Sequence, residues 1–540
     1  MNTNNKYRVL ILKKSSFFQP KRVLRCVANH LFLFLLFFIN TISAQKPQNI
    51  STLTGKELHN RVRLQFLPIK MPTNVYQNLK NTMGVLGIHY QIPISTSFYG
   101  GVAMYTAVTG DQGGLFTLGA EIGYQKKFFN NFFLDTNFHF GGGGGYRYLV
   151  NDGAFINPNI GLKYKYNDFS IGVQFSHYNF YTGKIKSNTI SFFVEIPSIL
   201  RFTTIANSRK KSIQNKLTSK GFWIKPATKN AQIVRFDFLF PRGKSKKDNL
   251  EPLQNTLYVL GFEYQKYVHK NSFLFIHSDA IYKGLRAGFM DLFLGIGYHP
   301  YQSKYINLFT KLGIGAAGGR IAPEGGLTLY PSIGFEIKAT RTFSVNSHIG
   351  YYKALAGNFE AYTLGFGLKY NSFNGGTSFE SEKFTHFYTQ GIWVSLQNQS
   401  YFKVQKTDNS SVNLQLLALQ FQIDISKNFY FIGEAGFAYA GKSGGYAQGL
   451  AGIGIKSPSF IKKKLHFFLE NVAGAGGGAG VDTGEGIVAR TTLGINYKIT
   501  ENISFFASGG KIIAIYGGLN VKNINIGFSF GLSSLSTIIK

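Results

Sequence analysis

Cysteine is almost absent from this chain of 540 residues; the only one is Cys26. It precedes an apolar run near the N-terminus, so a chain cleaved after that run holds none. Disulfides and cysteine metal sites are thereby excluded. Charged residues are also scarce, at 15% of the total. Acidic ones are scarcer still, 25 against 58 basic, for a formal net charge of +33. The first 44 residues hold seven basic side chains and no acidic one, so their removal leaves +26. Such a surplus favours anionic partners: outer-membrane lipid, lipopolysaccharide phosphates or an anionic glycan. No nucleic-acid motif is present, and none is expected as a partner. Past residue 45 there is no apolar run approaching the roughly 20 residues a membrane helix needs, which excludes a helical membrane protein.

What remains is rich in aromatics, at 16%, and in glycine, with 62 residues. That mixture suits many strands with close backbone approach and aromatic girdles. At the N-terminus, Lys13, Lys14, Lys21, Arg22 and Arg25 precede the apolar stretch LFLFLLFFI, and TISA closes it at Ala44. A basic region, a short apolar core and a small-residue exit form a secretory signal, expected over residues 1–44.

A glycine run organises the rest. Gly141 to Gly145 lie in FFLDTNFHFGGGGGYRYLV, and the pattern returns around Gly313–Gly319 and around Gly474–Gly480. Flanking blocks repeat in the same order. VLGIHYQ from Val85 matches VLGFEYQ from Val259 and LLALQFQ from Leu416. Internal repetition of this kind implies a triplicated unit. Within the block, Leu86, Ile88 and Tyr90 alternate with Gly87, His89 and Gln91, which is the period of a strand with one apolar face. Eight such segments are expected per unit. The units span residues 58–198, 231–372 and 389–532. A basic linker over 199–230 and a polar one over 373–388 join them.

Helices to cover the apolar faces are missing, and lipid is the expected partner. Backbone groups in lipid must pair internally, so the strands must close. The fold class is therefore an all-β antiparallel transmembrane β-barrel of three repeats. Either three small barrels form or one of twenty-four strands, the long linkers favouring separate closure. Glycine on the inner face would let strands bend or walls approach. A phosphate cradle would need a strand–loop–helix context that is absent.

With these features in place, the chain resembles bacterial outer-membrane β-barrels, and its Phe/Tyr/Asn/Lys/Gly richness is similar to that of Bacteroidetes members. The resemblance covers residues 58 to about 532 and implies an outer-membrane location. The chain departs from it at the end, where Phe528 and Phe530 are followed by GLSSLSTIIK instead of a terminal aromatic.

Chemistry is thinly signalled. Lipid A deacylases carry a His, a Ser two residues on and an acidic residue on the next strand. Here His177 and Glu195 stand in place but Asn179 replaces the serine, so no catalytic residue, cofactor or metal is expected. His89, Glu263 and Gln420 share an inward column read as structural filling, since buried charge needs a partner. Basic loops around Arg242–Lys247 and Arg209–Lys211 form the surfaces for anionic contact. The expected function is a non-enzymatic structural or binding role at the cell surface. A channel or transporter built as one fused barrel is the alternative, and a lipid hydrolase the second.

Overall fold

The computed structural model describes residues 48–75, 79–214, 221–321 and 325–537. The leader expected over residues 1–44 lies outside them. Alternating sequence becomes alternating structure. In the strand Thr82–Pro93, Gly87, His89 and Gln91 are buried while Leu86, Ile88 and Tyr90 face outward.

Each unit closes on itself. The first strand of the first unit, Lys56–Lys70, pairs with the second, Thr82–Pro93, and also with the eighth, Lys186–Thr204. In the second unit Thr228–Pro241 pairs with Leu257–Tyr267 and with Glu360–Asn374. In the third His386–Gln405 pairs with Ser411–Asp424 and with Asn520–Thr537. These are antiparallel pairings, and closure leaves no edge to expose unpaired amides to lipid. The strand route is thus three small barrels side by side.

The strands outrun the boundaries read from sequence, beginning at Lys56, Thr228 and His386 and ending at Thr204, Asn374 and Thr537. Their extra length is used between barrels. Leu532 pairs with Thr204, Ser533 with Thr203, and Asn374 with Ser536. At the same end, Ile50, Leu53, Trp223, Ala227, Phe384, Phe387 and Leu535 form an apolar knot. The Trp223 indole N–H donates to the Leu53 carbonyl at 2.8 Å. The described residues of the linkers, Trp223, Ala227 and Phe384 among them, are therefore packed parts of a base.

The barrels also meet sideways. Phe116 and Leu118 from the first, Leu292 and Ala316 from the second and Phe437 from the third come together in one cluster. All lie on outer faces, yet Phe116 is only 1% exposed, whereas Ile296 on the same kind of face is 60% exposed. One part of each outer wall covers its neighbours and the remainder is left for lipid.

The glycine tracts explain how the walls approach. Each tract ends the fifth strand of its barrel: Phe132–Gly144, Ile306–Gly318 and Leu465–Gly477. A Cβ on Gly142 would lie 2.6 Å from the Ala438 carbonyl oxygen in the third barrel. One on Gly318 would lie 2.5 Å from the Gly113 carbonyl carbon in the first, and one on Gly477 would strike Ala287 in the second. The order is cyclic, first onto third, second onto first, third onto second. The tracts do not turn barrel corners; they are the seams of a ring of three. Backbone bonds follow the seams, with Gly325 N–H donating to Gly110 O at 2.7 Å and Gly444 N–H to Asn151 O at 2.8 Å. Head-to-tail contacts that close after three steps give cyclic pseudo-symmetry within a single chain.

Candidate functional site

The lumens are filled, apolar towards one end and charged at mid-height. In the first barrel Leu67, Ile69, Met83, Val85, Phe155, Tyr178 and Phe180 pack together near the loop end. Below them the Arg63 guanidinium lies 3.0 Å from Asp135 Oδ2 and 2.5 Å from Glu195 Oε1. Lys163 Nζ approaches Glu195 Oε2 at 3.1 Å, and the Tyr99 hydroxyl donates to Asp135 at 3.0 Å. Arg63 sits on the first strand, Asp135 on the fifth and Glu195 on the eighth, so the cluster spans the lumen.

The second barrel repeats the construction with shifted parts. Arg235 pairs with Asp237 and, at 2.5 Å, with Glu263. Lys311 Nζ reaches Glu263 Oε2 at 2.8 Å, and His348 Nε2 lies 3.1 Å from Asp237. Nearer the base, Lys369 pairs with Glu336 at 2.8 Å. Arg63 faces His89 across the ladder, whereas Ile233 faces Glu263, so Arg235 lies two residues further along its strand. In the third barrel the guanidinium comes from the sixth strand: Arg490 grips Glu434 with two bonds, at 2.7 and 2.9 Å. Here Ser395 faces Gln420.

The column His89, Glu263 and Gln420 is buried in all three lumens. His89 Nδ1 is 2.7 Å from Glu121 Oε2, Glu263 joins Arg235 and Lys311, and Gln420 donates to Glu470 at 3.3 Å. The arginines escape sequence reading: Arg63 meets Asp135 and Glu195, and Arg490 meets Glu434, from strands far along the chain, while Arg235 has a near partner in Asp237 on its own strand. The available signal was a basic residue on an inward position of an alternating strand.

The hydrolase arrangement does not assemble. Ser176 and Glu195 point inward and are buried, while His177 lies on the outer face, where its Nδ1 is 2.5 Å from Asn188 Oδ1. The two basic loops lie at opposite ends. Arg209–Lys211 belongs to the base, beside Thr389, and Arg242–Lys247 lies in a loop at the other end. That far end also holds a cleft of about 580 Å³ between the second and third barrels, lined by Lys247, Arg286, Arg320, Asp248 and Glu485 among others.

Sequence reading found no His/Asp/Glu set at metal-ligand spacing. The fold nevertheless brings His277, Asp279 and Asp291 together, all buried, with one ligand atom from each lying within 4.8 Å of the others. His277 and Asp279 alternate onto the inner face of Ser272–Lys283, and Asp291 enters from the next strand, Met290–Gln302.

Closed antiparallel barrels with an apolar outer band and a polar interior belong to the bacterial outer membrane, and this is an outer-membrane β-barrel protein. No family model matches the chain, and no curated protein matches it. Solved structures do. The chain is similar to the siderophore receptor PirA from Pseudomonas aeruginosa, at 7% identity and a TM-score of 0.25 over 90% of this chain and 81% of that one. It is similar to the FrpB iron transporter from Neisseria meningitidis, at 8% identity and a TM-score of 0.26 over 89% and 82%. It is also similar to the NanC porin, at 10% and 0.16 over 55% and 98%. The expectation of a structural or binding role alone is corrected by these similarities, which are to a receptor, a transporter and a porin. The single fused ring of twenty-four strands expected for a channel does not form, because each unit closes on itself.

Proposed function

We propose that the protein passes small charged solutes across the outer membrane through its three narrow lumens, each gated by its ionic cluster. The carrying observation is buried charge at mid-lumen in every barrel, in Arg63–Asp135–Glu195, Arg235–Asp237–Glu263 and Arg490–Glu434. Apolar filling of equal volume is often neutral or more stable by about 1–4 kcal/mol. Stability alone does not favour the charges. They also occupy different columns in the three barrels, and the third draws its arginine from another strand. The same cluster has been reached from three sets of positions, which supports a requirement for charge on the lumen axis.

Gating by partner exchange fits these parts. Arg63 holds two carboxylates and Arg235 three, Asp279 the most distant at 3.6 Å, and a lysine stands beside each, so one pair can part while another holds. An eight-strand lumen is narrow, which restricts the solute to small ions and confines conduction to short openings. The reading includes no covalent step. The composition supports a Bacteroidetes-like outer membrane as the setting.

The test is single-channel recording on the purified protein in planar bilayers. Small, discrete steps are expected, with open probability rising at least tenfold in Arg490→Met. That variant leaves Glu434 buried without its countercharge, with only the Gln397 and Gln448 amides donating to it, a cost of up to about 3–5 kcal/mol that favours hydration of the lumen. Adding Glu434→Gln should return the closed behaviour. Silence from both the parent and Arg490→Met, in protein shown to be inserted, rejects the proposal.

A further inference from the structure

The second lumen differs from the others in its charge balance. Its buried residues include Arg235, Lys311 and Lys369 against Asp237, Glu263, Asp279, Asp291 and Glu336. Lys369 answers Glu336 nearer the base, and at mid-height Arg235 and Lys311 meet Asp237, Glu263, Asp279 and Asp291, two cations against four carboxylates, with Arg235 Nε 3.6 Å from Asp279 Oδ1. Both oxygens of Asp279 and Nε2 of His277 are buried with no hydrogen-bond partner. A buried carboxylate with neither oxygen bonded is costly to leave as it stands.

We propose that His277, Asp279 and Asp291 hold a divalent transition-metal cation, zinc being the best fit. One imidazole and two carboxylates are a zinc donor set, and a charge of +2 matches the local deficit. Nε2 of His277 lies 3.7 Å from Asp291 Oδ1 and 4.0 Å from Asp279 Oδ2. Bonds of about 2.0–2.2 Å in tetrahedral geometry place ligand atoms about 3.4 Å apart. The three ligand atoms lie within 4.8 Å of one another, so side-chain shifts of roughly an ångström bring them there. A water completes the coordination.

The surroundings orient the ligands. The ladder between the two strands pairs His277 with Phe293 and resumes at Ala280 with Met290. In the gap the Asp279 N–H donates to Asp291 Oδ1 at 2.8 Å, and the Tyr352 hydroxyl donates to Asp291 Oδ2 at 2.7 Å. Nδ1 of His277 accepts from Arg235 Nη1 at 3.3 Å and lies 3.8 Å from Glu263 Oε2; in the tautomer that binds metal through Nε2, the Nδ1 N–H turns to that carboxylate and the guanidinium stays with Glu263 and Asp237. This is the carboxylate–histidine–metal relation that fixes the ring in zinc sites. Gly261, opposite Asp279 in the ladder, leaves room for its carboxylate, since a Cβ there would strike Asp279 Oδ1. Phe275 and Phe293 flank the imidazole and limit water around it.

The experiment uses the full chain, unfolded in urea with chelator and refolded into detergent with cobalt(II) or zinc(II), so that access to a closed lumen does not limit loading. One equivalent of cobalt should be retained after gel filtration, with the intense visible absorption of a tetrahedral ion, and zinc should displace it. His277→Gln should weaken cobalt binding at least 100-fold and remove that absorption. Asp291→Asn, nearly isosteric, should weaken it comparably while the barrel still shifts on heating in gel electrophoresis. Ile296→Val, on the outer face of the same barrel, should bind as the parent does. Folded parent protein that retains no cobalt overturns the site, the two carboxylates then sharing a proton instead. Retention unchanged in both ligand variants places the ion elsewhere and overturns it equally.

Discussion

Glycine at the seams is a choice that a single atom decides. A Cβ on Gly142 would sit 2.6 Å from the Ala438 carbonyl oxygen, and backbone on both sides of the seam is held in strands. Neither partner can retreat without breaking ladder bonds. Gly142→Val should therefore separate the first and third barrels or strain both, at about 1–3 kcal/mol for an overpacked site. Gly433 is the control. It lies in a strand of the third barrel, and a Cβ there would meet nothing within 4 Å. Gly433→Val should change stability by less than about 0.5 kcal/mol, as surface substitutions do. Urea unfolding in detergent measures both, and equal midpoints for the two variants would remove the seam from the account.

At the scale of elements, the strands were legible and their company was not. Alternation has a period of two residues, so a short window suffices to read Leu86, Ile88 and Tyr90 outward and His89 inward. The start of most strands follows, because turns interrupt the pattern locally. Arg63 shows the limit: Asp135 stands 72 residues away on the far wall and Glu195 132 residues away on the neighbouring strand that closes the barrel, and no spacing encodes them. Likewise Asp291 joins His277 only across a ladder. Gly142 needs two barrels in place before its small size matters. The linkers were read as polar tethers, yet Trp223 is fully buried in the knot with Leu53 and Phe387. Their few apolar residues, spread among many basic ones, carry the packing. Removing the indole should cost about 3–5 kcal/mol. Trp223→Ala should make the linker sensitive to trypsin at Arg209, Lys210, Lys211 and Lys225 while far-ultraviolet dichroism keeps its strand signal. A linker as resistant as the parent's would show that the knot does not depend on Trp223.

The whole molecule has two unlike ends, and this sets its direction in the membrane. Because each barrel has eight strands, both of its termini fall at one end, where the overhanging strands and linkers build the base. Turns at that end are short, as at residues 130–131, 167–168 and 303–305, with 457–464 the longer case. Loops at the other end are longer, including 108–115, 145–154 and 242–256. Outer-membrane barrels keep short turns on the periplasmic side and longer loops outside. The base should then be periplasmic, and the seams and the 580 Å³ cleft should face the medium. The basic loop around Arg242–Lys247 would meet the anionic headgroup layer, while Arg209–Lys211 would remain inside. The cysteine-poor chain makes this simple to check, since Cys26 lies in the stretch expected to be removed. Lys244→Cys should react in intact cells with a polymer-linked maleimide too large to cross the outer membrane. Lys304→Cys, in a short turn, should react only after lysis. The opposite pattern would invert the protein and, with it, the assignment of every loop.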